Sequence, residues 1–165
     1  MKLHGPTEER RDRLICEMIH DPYKMKRKPE EPTVCPICSA IFHDGRWQWA
    51  ESWPMGAHQE VCQACHRVKD NYPAGVITLT GKFVGKHRGE LIALAHRLEE
   101  KAKSEHPLQR IMAIEEGEDR LVIKTTDIHL PHRIADVVHK AYKGHLEQHY
   151  DEEGYFVRVN WNRDN

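Results

Sequence analysis

The hydrophobic pattern of the chain is regular from Val76 onward. Ile77, Leu79 and Phe83 alternate with polar or small residues, which predicts a strand. Apolar residues then recur at intervals of three and four, which predicts a helix that ends before Pro107. The face of this helix is formed by Leu91, Leu94, Ala95, Leu98 and Ala102.

A hairpin and a second helix are predicted next. The apolar stretches 109–114 and 120–125 flank the acidic segment 115–119, which is typical of a hairpin. Asp127 is a suitable N-cap for the helix, and Gly144 suits the left-handed conformation that ends it. The apolar face of this helix is Leu130, Ile134, Val137, Val138 and Ala141. Two closing strands are predicted from Leu146, Tyr150, Tyr155, Val157, Val159 and Trp161.

The resulting order is β-α-β-β-α-β followed by one more strand. This is the order of a split βαβ, ferredoxin-like fold. The fold class is therefore predicted to be α+β, with residues 74–165 forming a ferredoxin-like domain that carries an extra strand.

The amino-terminal part of the chain follows a different pattern. Thr7 is a plausible N-cap, and the apolar residues after it predict an amphipathic helix over residues 7–20. The following residues are basic and interrupted by prolines, so residues 1–32 are interpreted as a helix and an extended basic arm. Residues 33–70 have little periodicity, which is typical of a small domain held by a metal ion.

Two C-x2-C pairs lie within residues 33–70. Each pair can turn both sulfurs toward one point, and two pairs complete the tetrahedral thiolate shell that Zn2+ prefers. The predicted ligands of one structural Zn2+, in a zinc ribbon, are Cys35, Cys38, Cys62 and Cys65. The alternatives are an iron–sulfur cluster or another metal, and two free pairs. Because four protein sulfurs close the shell, no position is left for a catalytic water.

Other candidate ligands lie nearby. His43, His58 and His66 could each replace a cysteine, although four thiolates already suffice. Cys16 lies on the apolar side of the first predicted helix and is interpreted as a small buried hydrophobe.

Aromatic and basic residues around the cysteine pairs suggest RNA binding. Exposed tryptophans can stack on unpaired bases, and cations can neutralise phosphates. The candidate RNA-binding residues are Lys24, Lys26, Arg27, Lys28, Arg46, Trp47, Trp49, Arg67 and Lys69. The alternatives are a solvated basic tail and tryptophans that serve as the core of the ribbon. We expect one of Trp47 and Trp49 to be buried and the other to be partly exposed.

Histidines could form a second site. His129 and His132, with Asp127 nearby, could share a helix face, and His145 and His149 could share a strand face. The arrangement lacks the glutamate of an H-E-x-x-H motif, so capping or solvated histidines are the favoured interpretation. No glycine-rich phosphate loop or activated nucleophile is evident, so the sequence does not indicate an enzyme.

Composition limits the class of protein. The 165 residues carry a net charge of −1, and the longest apolar runs are far shorter than the roughly 20 residues that cross a bilayer. The first residues lack the apolar core of a secretory signal, and five cysteines are an odd number for a disulfide framework. These features indicate a cytoplasmic protein with reduced thiols.

Several segments together resemble a family of short bacterial zinc-ribbon proteins of unassigned function. They are His20-Asp21-Pro22-Tyr23, Glu31-Pro32-Thr33-Val34-Cys35-Pro36, Gly45-Arg46-Trp47-Gln48-Trp49, Cys62-Gln63-Ala64-Cys65-His66-Arg67, Tyr72-Pro73-Ala74-Gly75 and Thr125-Thr126-Asp127-Ile128-His129-Leu130. The ribbon is more distantly similar to the large-ribosomal-subunit export adaptor of archaea and eukaryotes, which is known from nonsense-mediated decay. That adaptor has more C-x-x-C pairs and later domains that this chain lacks, and Ser39 stands where many ribbons have glycine.

The resemblance implies attachment of the ribbon to a ribosomal large subunit. The leading functional hypothesis is therefore a cytoplasmic, non-enzymatic zinc-ribbon protein that binds structured RNA on the ribosome. The alternative is a protein-interaction or regulatory adaptor in which the acidic α/β sheet is the working surface and zinc is purely structural. An exposed apolar patch on that sheet would favour the adaptor.

Overall fold

The computed structural model describes Tyr23 and residues 28–165. The predicted helix 7–20, Cys16 and the arm cations Lys24, Lys26 and Arg27 lie outside the described residues. The described chain contains two sheets and three helices. None of these helices is long and apolar enough to cross a membrane.

The first sheet is small and carries the cysteine ribbon. Its strands are β1 (Thr33–Val34), β2 (Ile41–His43), β3 (Arg46–Gln48) and β4 (His58–Gln59). They are arranged in the order β3-β2-β1-β4, with β4 parallel to β1 and the other pairs antiparallel. Helix α1 (Gln63–Asp70) follows, and it ends at Asn71, whose φ of 52° is left-handed.

The second sheet and two helices form the carboxy-terminal half. The strands are β5 (Gly75–Thr80), β6 (Ile111–Glu116), β7 (Arg120–Thr125), β8 (His145–Tyr150) and β9 (Val157–Asn162). The helices are α2 (Lys82–Glu105) and α3 (His129–Tyr142). The predicted order of strands and helices, and the mixed α+β content, are confirmed.

The arrangement of the strands departs from a ferredoxin-like sheet at one place. The sheet order is β6-β7-β5-β9-β8, and β9 pairs parallel to β5. In a ferredoxin-like sheet the fourth strand of the domain, here β8, would lie beside β5. Strand β9 instead takes the interior position because it carries the apolar side chains Val157, Val159 and Trp161, all of them buried. Strand β8 is mostly polar and exposed, and it forms the edge.

The core lies on one face of this sheet. Ile77, Ile123 and Val159 are register partners on neighbouring strands, and all three are fully buried. They pack with the apolar faces of α2 and α3. Because successive side chains of a strand point to opposite faces, the alternate residues form a second face that neither helix covers.

One predicted boundary was wrong. Phe83 belongs to α2 rather than to the preceding strand, and α2 begins at Lys82. Strand β5 ends at Thr80, and at the next residue, Gly81, φ is 110° and an added Cβ would clash with the Arg163 carbonyl oxygen. The turn thus requires glycine, and it directs Phe83 into the core, where its ring packs against Trp161. The helix is irregular at His87, whose backbone is not helical.

The residues predicted to end α3, Asp127 and Gly144, each lie one position outside its caps, Ile128 and Lys143. The Asp127 carboxylate accepts hydrogen bonds from the backbone N–H groups of His129 and Leu130, at 3.0 and 3.2 Å. Gly144 follows the helix with a φ of 86°. An added Cβ at Gly144 would lie 2.7 Å from the Asn162 carbonyl oxygen, so the sequence signal reflects both the turn and a close approach of β9.

Candidate metal centre

Four cysteine sulfurs converge between the small sheet and α1. The Sγ atoms of Cys35, Cys38, Cys62 and Cys65 all lie within 4.8 Å of one another, and no disulfide links them. Cys38 Sγ and Cys62 Sγ are 3.9 Å apart. Four sulfurs around one tetrahedral ion at ~2.3 Å would be separated by about 3.8 Å. The cluster therefore has the dimensions of a single-ion metal site.

The first pair of ligands lies in a tight turn between β1 and β2. The Ser39 N–H donates to the Cys35 carbonyl at 2.9 Å, and the Cys35 N–H donates to the Ala40 carbonyl at 2.9 Å. These bonds close the turn and point both sulfurs inward. Ser39 has a φ of 69°, in the left-handed region that favours glycine.

The second pair of ligands lies at the start of α1. Cys62 is the N-cap, and its sulfur accepts a hydrogen bond from the Cys65 N–H at 3.4 Å. The Cys62 N–H in turn donates to Cys35 Sγ at 3.4 Å. Backbone N–H groups at a helix start favour negative charge, so they stabilise the thiolate form that binds metal.

The thiols differ in their tendency to ionise. Burial alone would raise the pKa of Cys35, but hydrogen bonds from the backbone of Cys38, Cys62 and Ile37 outweigh it and lower the pKa to about 7. Burial raises the pKa of Cys62 well above its usual range. A bound cation supplies the charge that lets such a buried thiol ionise.

Arg110 brings a positive charge to the cluster from the carboxy-terminal domain. Its guanidinium donates from Nη1 to Cys65 Sγ at 3.2 Å and from Nη2 to Cys38 Sγ at 3.1 Å. Burial would lower the pKa of this guanidinium, but the hydrogen bonds to the two sulfurs raise it, so the side chain stays charged. Four thiolates around a divalent ion carry a net charge of −2, which Arg110 partly neutralises.

Arg110 itself is held in place. Its Nε donates to the Pro107 carbonyl at 2.7 Å, and its backbone N–H donates to Thr126 Oγ1 at 2.9 Å. Leu108 packs against the same cysteine cluster. Neither residue was predicted from the sequence, because Arg110 lies in a stretch whose apolar pattern indicates only a strand of the hairpin. A lone cation before an apolar stretch carries no signal that it will meet a metal site.

The nearby histidines do not join the cluster. Among the described residues, those that converge with the sulfurs are the four cysteines alone. His58 lies 2.6 Å from a Glu30 carboxylate oxygen, and His43 lies 3.5 Å from Asp44. His66 packs near the Tyr23 ring. The expectation that four thiolates suffice therefore agrees with this geometry.

The tryptophans occupy different environments from those expected. Neither Trp47 nor Trp49 is fully buried: Trp47 is half-buried against Phe42 and the cysteine cluster, and Trp49 is 38% exposed. The Trp49 indole N–H donates to the Lys103 carbonyl at 2.7 Å. Phe42, Ala40 and Ile41 are buried in the ribbon, so aliphatic and phenyl groups supply core that the sequence analysis assigned to tryptophan.

The predicted RNA-binding cations differ in their exposure to solvent. Lys28, Arg46 and Lys69 are exposed. Arg67 is buried, donates to the Tyr72 carbonyl at 3.2 Å and lies 4.5 Å from the centre of the Tyr23 ring. The guanidinium is thus engaged within the protein, and contact of Arg67 with phosphate stays a prediction.

The histidines suggested as a second site do not come together as one group. Asp127 caps α3 and lines a cavity with His129, but His132 does not line that cavity. His132 instead hydrogen-bonds the Tyr150 hydroxyl on β8. His145 and His149 share the strand face as predicted, and both lie beside the exposed Glu147, within 3.0 and 3.8 Å.

Comparison with known proteins gives no further assignment. No protein family, no curated protein and no solved structure matches this chain.

Proposed function

We propose that the four cysteines hold one structural Zn2+. A single ion fits because an iron–sulfur cluster spreads its cysteine ligands around two or more irons, whereas these sulfurs lie within 4.8 Å of one another. Four thiolates in a tetrahedral set suit Zn2+ and leave no open position for catalysis. Metal analysis of purified protein tests this: one zinc per chain supports the proposal, and stoichiometric iron contradicts it.

We further propose that the protein is a non-enzymatic, cytoplasmic RNA-binding protein that works on the ribosome. The observation that carries this proposal is the position of Trp49. Its exposed ring is fixed by the indole hydrogen bond, and the Lys103 Nζ and the Arg110 guanidinium each lie 5.9 Å from the ring centre. A rigid aromatic face beside the exposed cation Lys103 suits an unpaired base and its phosphate, whereas the Arg110 guanidinium is already engaged by the cysteine sulfurs.

The second face of the large sheet also favours a polar partner. The register places Val76, Lys124 and Arg158 in one row, and Thr78, Val122 and Asn160 in the next. Val76 is half-buried and Val122 is buried, whereas the charged side chain of Arg158 is exposed. Among the described residues this face thus offers no broad apolar patch of the kind expected for a protein adaptor.

The salt dependence of binding distinguishes contacts with phosphate from stacking on a base. Each neutralised phosphate releases counterions, so replacing Lys24, Lys26, Arg27 and Lys28 by glutamine should weaken binding to all RNA sequences and flatten the salt slope. Trp49→Ala should remove about 1–3 kcal/mol from binding to unpaired strands with little change of slope. Trp47→Ala is the comparison for lost ribbon packing, and Trp49→Phe keeps a ring for stacking.

Co-sedimentation with ribosomes tests whether the protein acts on the ribosome. Tagged protein should sediment with ribosomal subunits at moderate salt, and the arm replacement should reduce this association. Ribosome or RNA binding that is unchanged by the arm replacement, or no RNA binding by wild-type protein, contradicts the proposal. The resemblance of the ribbon to the ribosomal export adaptor is the reason for choosing the ribosome.

One observation favours protein interaction as a second candidate, but at the ribbon rather than at the α/β sheet. The ribbon carries a groove of about 360 Å³ with a mainly apolar lining, which includes Pro32, Ile41, Ala50 and Pro54. Such a groove could hold an apolar segment of a partner protein. If RNA binding is absent, Ala50→Glu is the variant to compare with wild-type protein in partner capture, since it introduces a charge into the groove.

A further inference from the structure

A second cavity lies between α1 and the carboxy-terminal domain. Its volume is about 230 Å³, and it is open to solvent. Gln63 and Arg67 of α1 form one side, and Asp127 and His129 at the start of α3 form another. Tyr155, in the turn before β9, also lines the cavity. Both halves of the chain thus contribute to it.

Asp127 provides the cavity with a carboxylate that can accept hydrogen bonds from a ligand. Its two carboxylate oxygens each accept one backbone N–H, from Leu130 and His129, and an ionised carboxylate has lone pairs for about four such bonds. Among the described residues Asp127 forms no ion pair. Burial raises the pKa of this carboxyl, although the two backbone hydrogen bonds act in the opposite direction. A ligand with two adjacent N–H donors could use the remaining lone pairs of the two oxygens.

The size and walls of the cavity restrict the ligand. A volume of about 230 Å³ lies below the ~300 Å³ typical of the smallest drug-sized pockets, so the cavity fits a single planar ring system. Tyr23 and Tyr155 provide aromatic surface, and Leu108 and Ile128 provide apolar surface. Aromatic walls with a few polar groups are the means by which proteins hold unstacked bases.

We propose that this cavity binds an unpaired guanine base, with Asp127 accepting the N1–H and N2–H groups of its Watson–Crick edge. Guanine presents two neighbouring donors on that edge. Adenine and cytosine present a donor beside an acceptor, and uracil presents one donor between two acceptors, so each would direct a lone pair at the carboxylate. This inference deepens the proposed function and rests on it for the source of the base, namely unpaired RNA.

The metal centre positions one wall of the cavity. Gln63 directly follows the ligand Cys62, and Ala64 lies between Gln63 and the ligand Cys65. Loss of the metal would release α1 and open the cavity. Guanine binding should therefore disappear when a chelator removes the ion, even though α3 and Asp127 remain folded.

Guanosine 5′-monophosphate is the direct probe. In a ¹H–¹⁵N titration of the full-length metal-loaded protein, it should shift the signals of residues around the cavity, such as Gln63, Asp127 and Gly154. Adenosine 5′-monophosphate should bind at least tenfold more weakly. Equal shifts with both nucleotides, or none with either, overturn the proposal.

Asp127→Asn gives a sharper outcome. Asparagine offers one acceptor beside one donor, which matches xanthine, whose edge has an N1–H donor beside a C2 carbonyl acceptor. This variant should lose guanosine monophosphate binding at least tenfold and gain xanthosine monophosphate binding. Asp136→Asn, an exposed acid on the same helix, is the matched control and should change neither. Unchanged guanine preference in Asp127→Asn contradicts the assignment.

Variants in the wall and single-guanine RNAs separate this proposal from the RNA-binding proposal. Tyr155→Leu should weaken guanosine monophosphate binding with the metal retained, which covers the case in which Asp127→Asn does not fold. For wild-type protein, a uridine oligomer with one guanine should bind more tightly than the same oligomer with one adenine. RNA binding without this preference overturns the guanine site alone, and nucleotide binding without RNA binding overturns the RNA function alone.

Discussion

The Arg110 guanidinium donates a hydrogen bond to Cys38 Sγ across 3.1 Å, although the two residues lie 72 positions apart in the sequence. This contact joins the cysteine cluster of the ribbon to the residue that precedes β6 in the carboxy-terminal domain. It gives a negatively charged thiolate site a cation that is itself fixed by two further hydrogen bonds. This side chain therefore links the cysteine cluster to the α+β domain, together with the packing of Leu108 and the hydrogen bond from Trp49 to Lys103.

Replacing Arg110 should weaken metal binding. Arg110→Gln retains much of the length but removes the charge, so we expect zinc affinity to fall by about 10–100-fold, as is common for groups that support metal ligands. Competition with a chromophoric chelator measures this. Arg110→Lys should retain part of the affinity, and Arg97→Gln, at an exposed position of α2, should retain all of it. Wild-type affinity in Arg110→Gln would show that the contact does not stabilise the bound ion.

Removing a ligand should unfold the ribbon. Because metal binding supplies folding free energy to a domain with a small core, Cys38→Ser or Cys62→Ser should release zinc and unfold residues 33–70. Metal content and the dispersion of ribbon amide signals give the readout. Cys16→Ser is the matched control and should keep one ion per chain. A Cys62→Ser protein that retains its metal at wild-type affinity would contradict the ligand assignment.

Ser39→Gly should stabilise the ribbon. Ser39 has a φ of 69°, and the left-handed conformation costs an ordinary residue ~1 kcal/mol or more relative to glycine. The N–H of residue 39 still donates to the Cys35 carbonyl in the variant, so the turn is preserved. Thermal unfolding of the metal-loaded protein should rise by a few degrees. Ser39→Val, with a β-branched side chain, should lower it, and the same ordering should appear in chelator resistance.

The carboxy-terminal domain should fold without metal. The buried cluster of this domain, which includes Ile77, Leu91, Ile134 and Trp161, contains no cysteine ligand. A fragment of residues 74–165 should therefore keep its helical circular dichroism in excess chelator. Its unfolding temperature should be lower than in the intact protein, because Arg110 and Leu108 lose the ribbon. Complete loss of helix on chelation of the intact protein would show that the two parts fold as one unit.

The sequence by itself determined the four-cysteine cluster and most of the regular elements. The two C-x2-C pairs are local features, because the spacing within each pair already brings two sulfurs to one side of a turn. Helix α3 follows from a periodic apolar face with Asp127 before it and Gly144 after it, and these are interactions over a few residues. The hairpin of β6 and β7 follows in the same way from two apolar stretches around an acidic turn.

The tertiary structure decided how those elements are arranged and which residues contact one another. The interior place of β9 depends on which of two neighbouring strands buries more apolar surface against α2 and α3, and that competition has no local signature. Arg67 was assigned to RNA from its charge, but the packing of Tyr23 and Tyr72 around α1 buries it. Arg110 and the cavity beside Asp127 arise where the ribbon and the α+β domain touch. Such contacts form between distant parts of the chain, so their residues carry no spacing or periodicity from which the contact could be predicted.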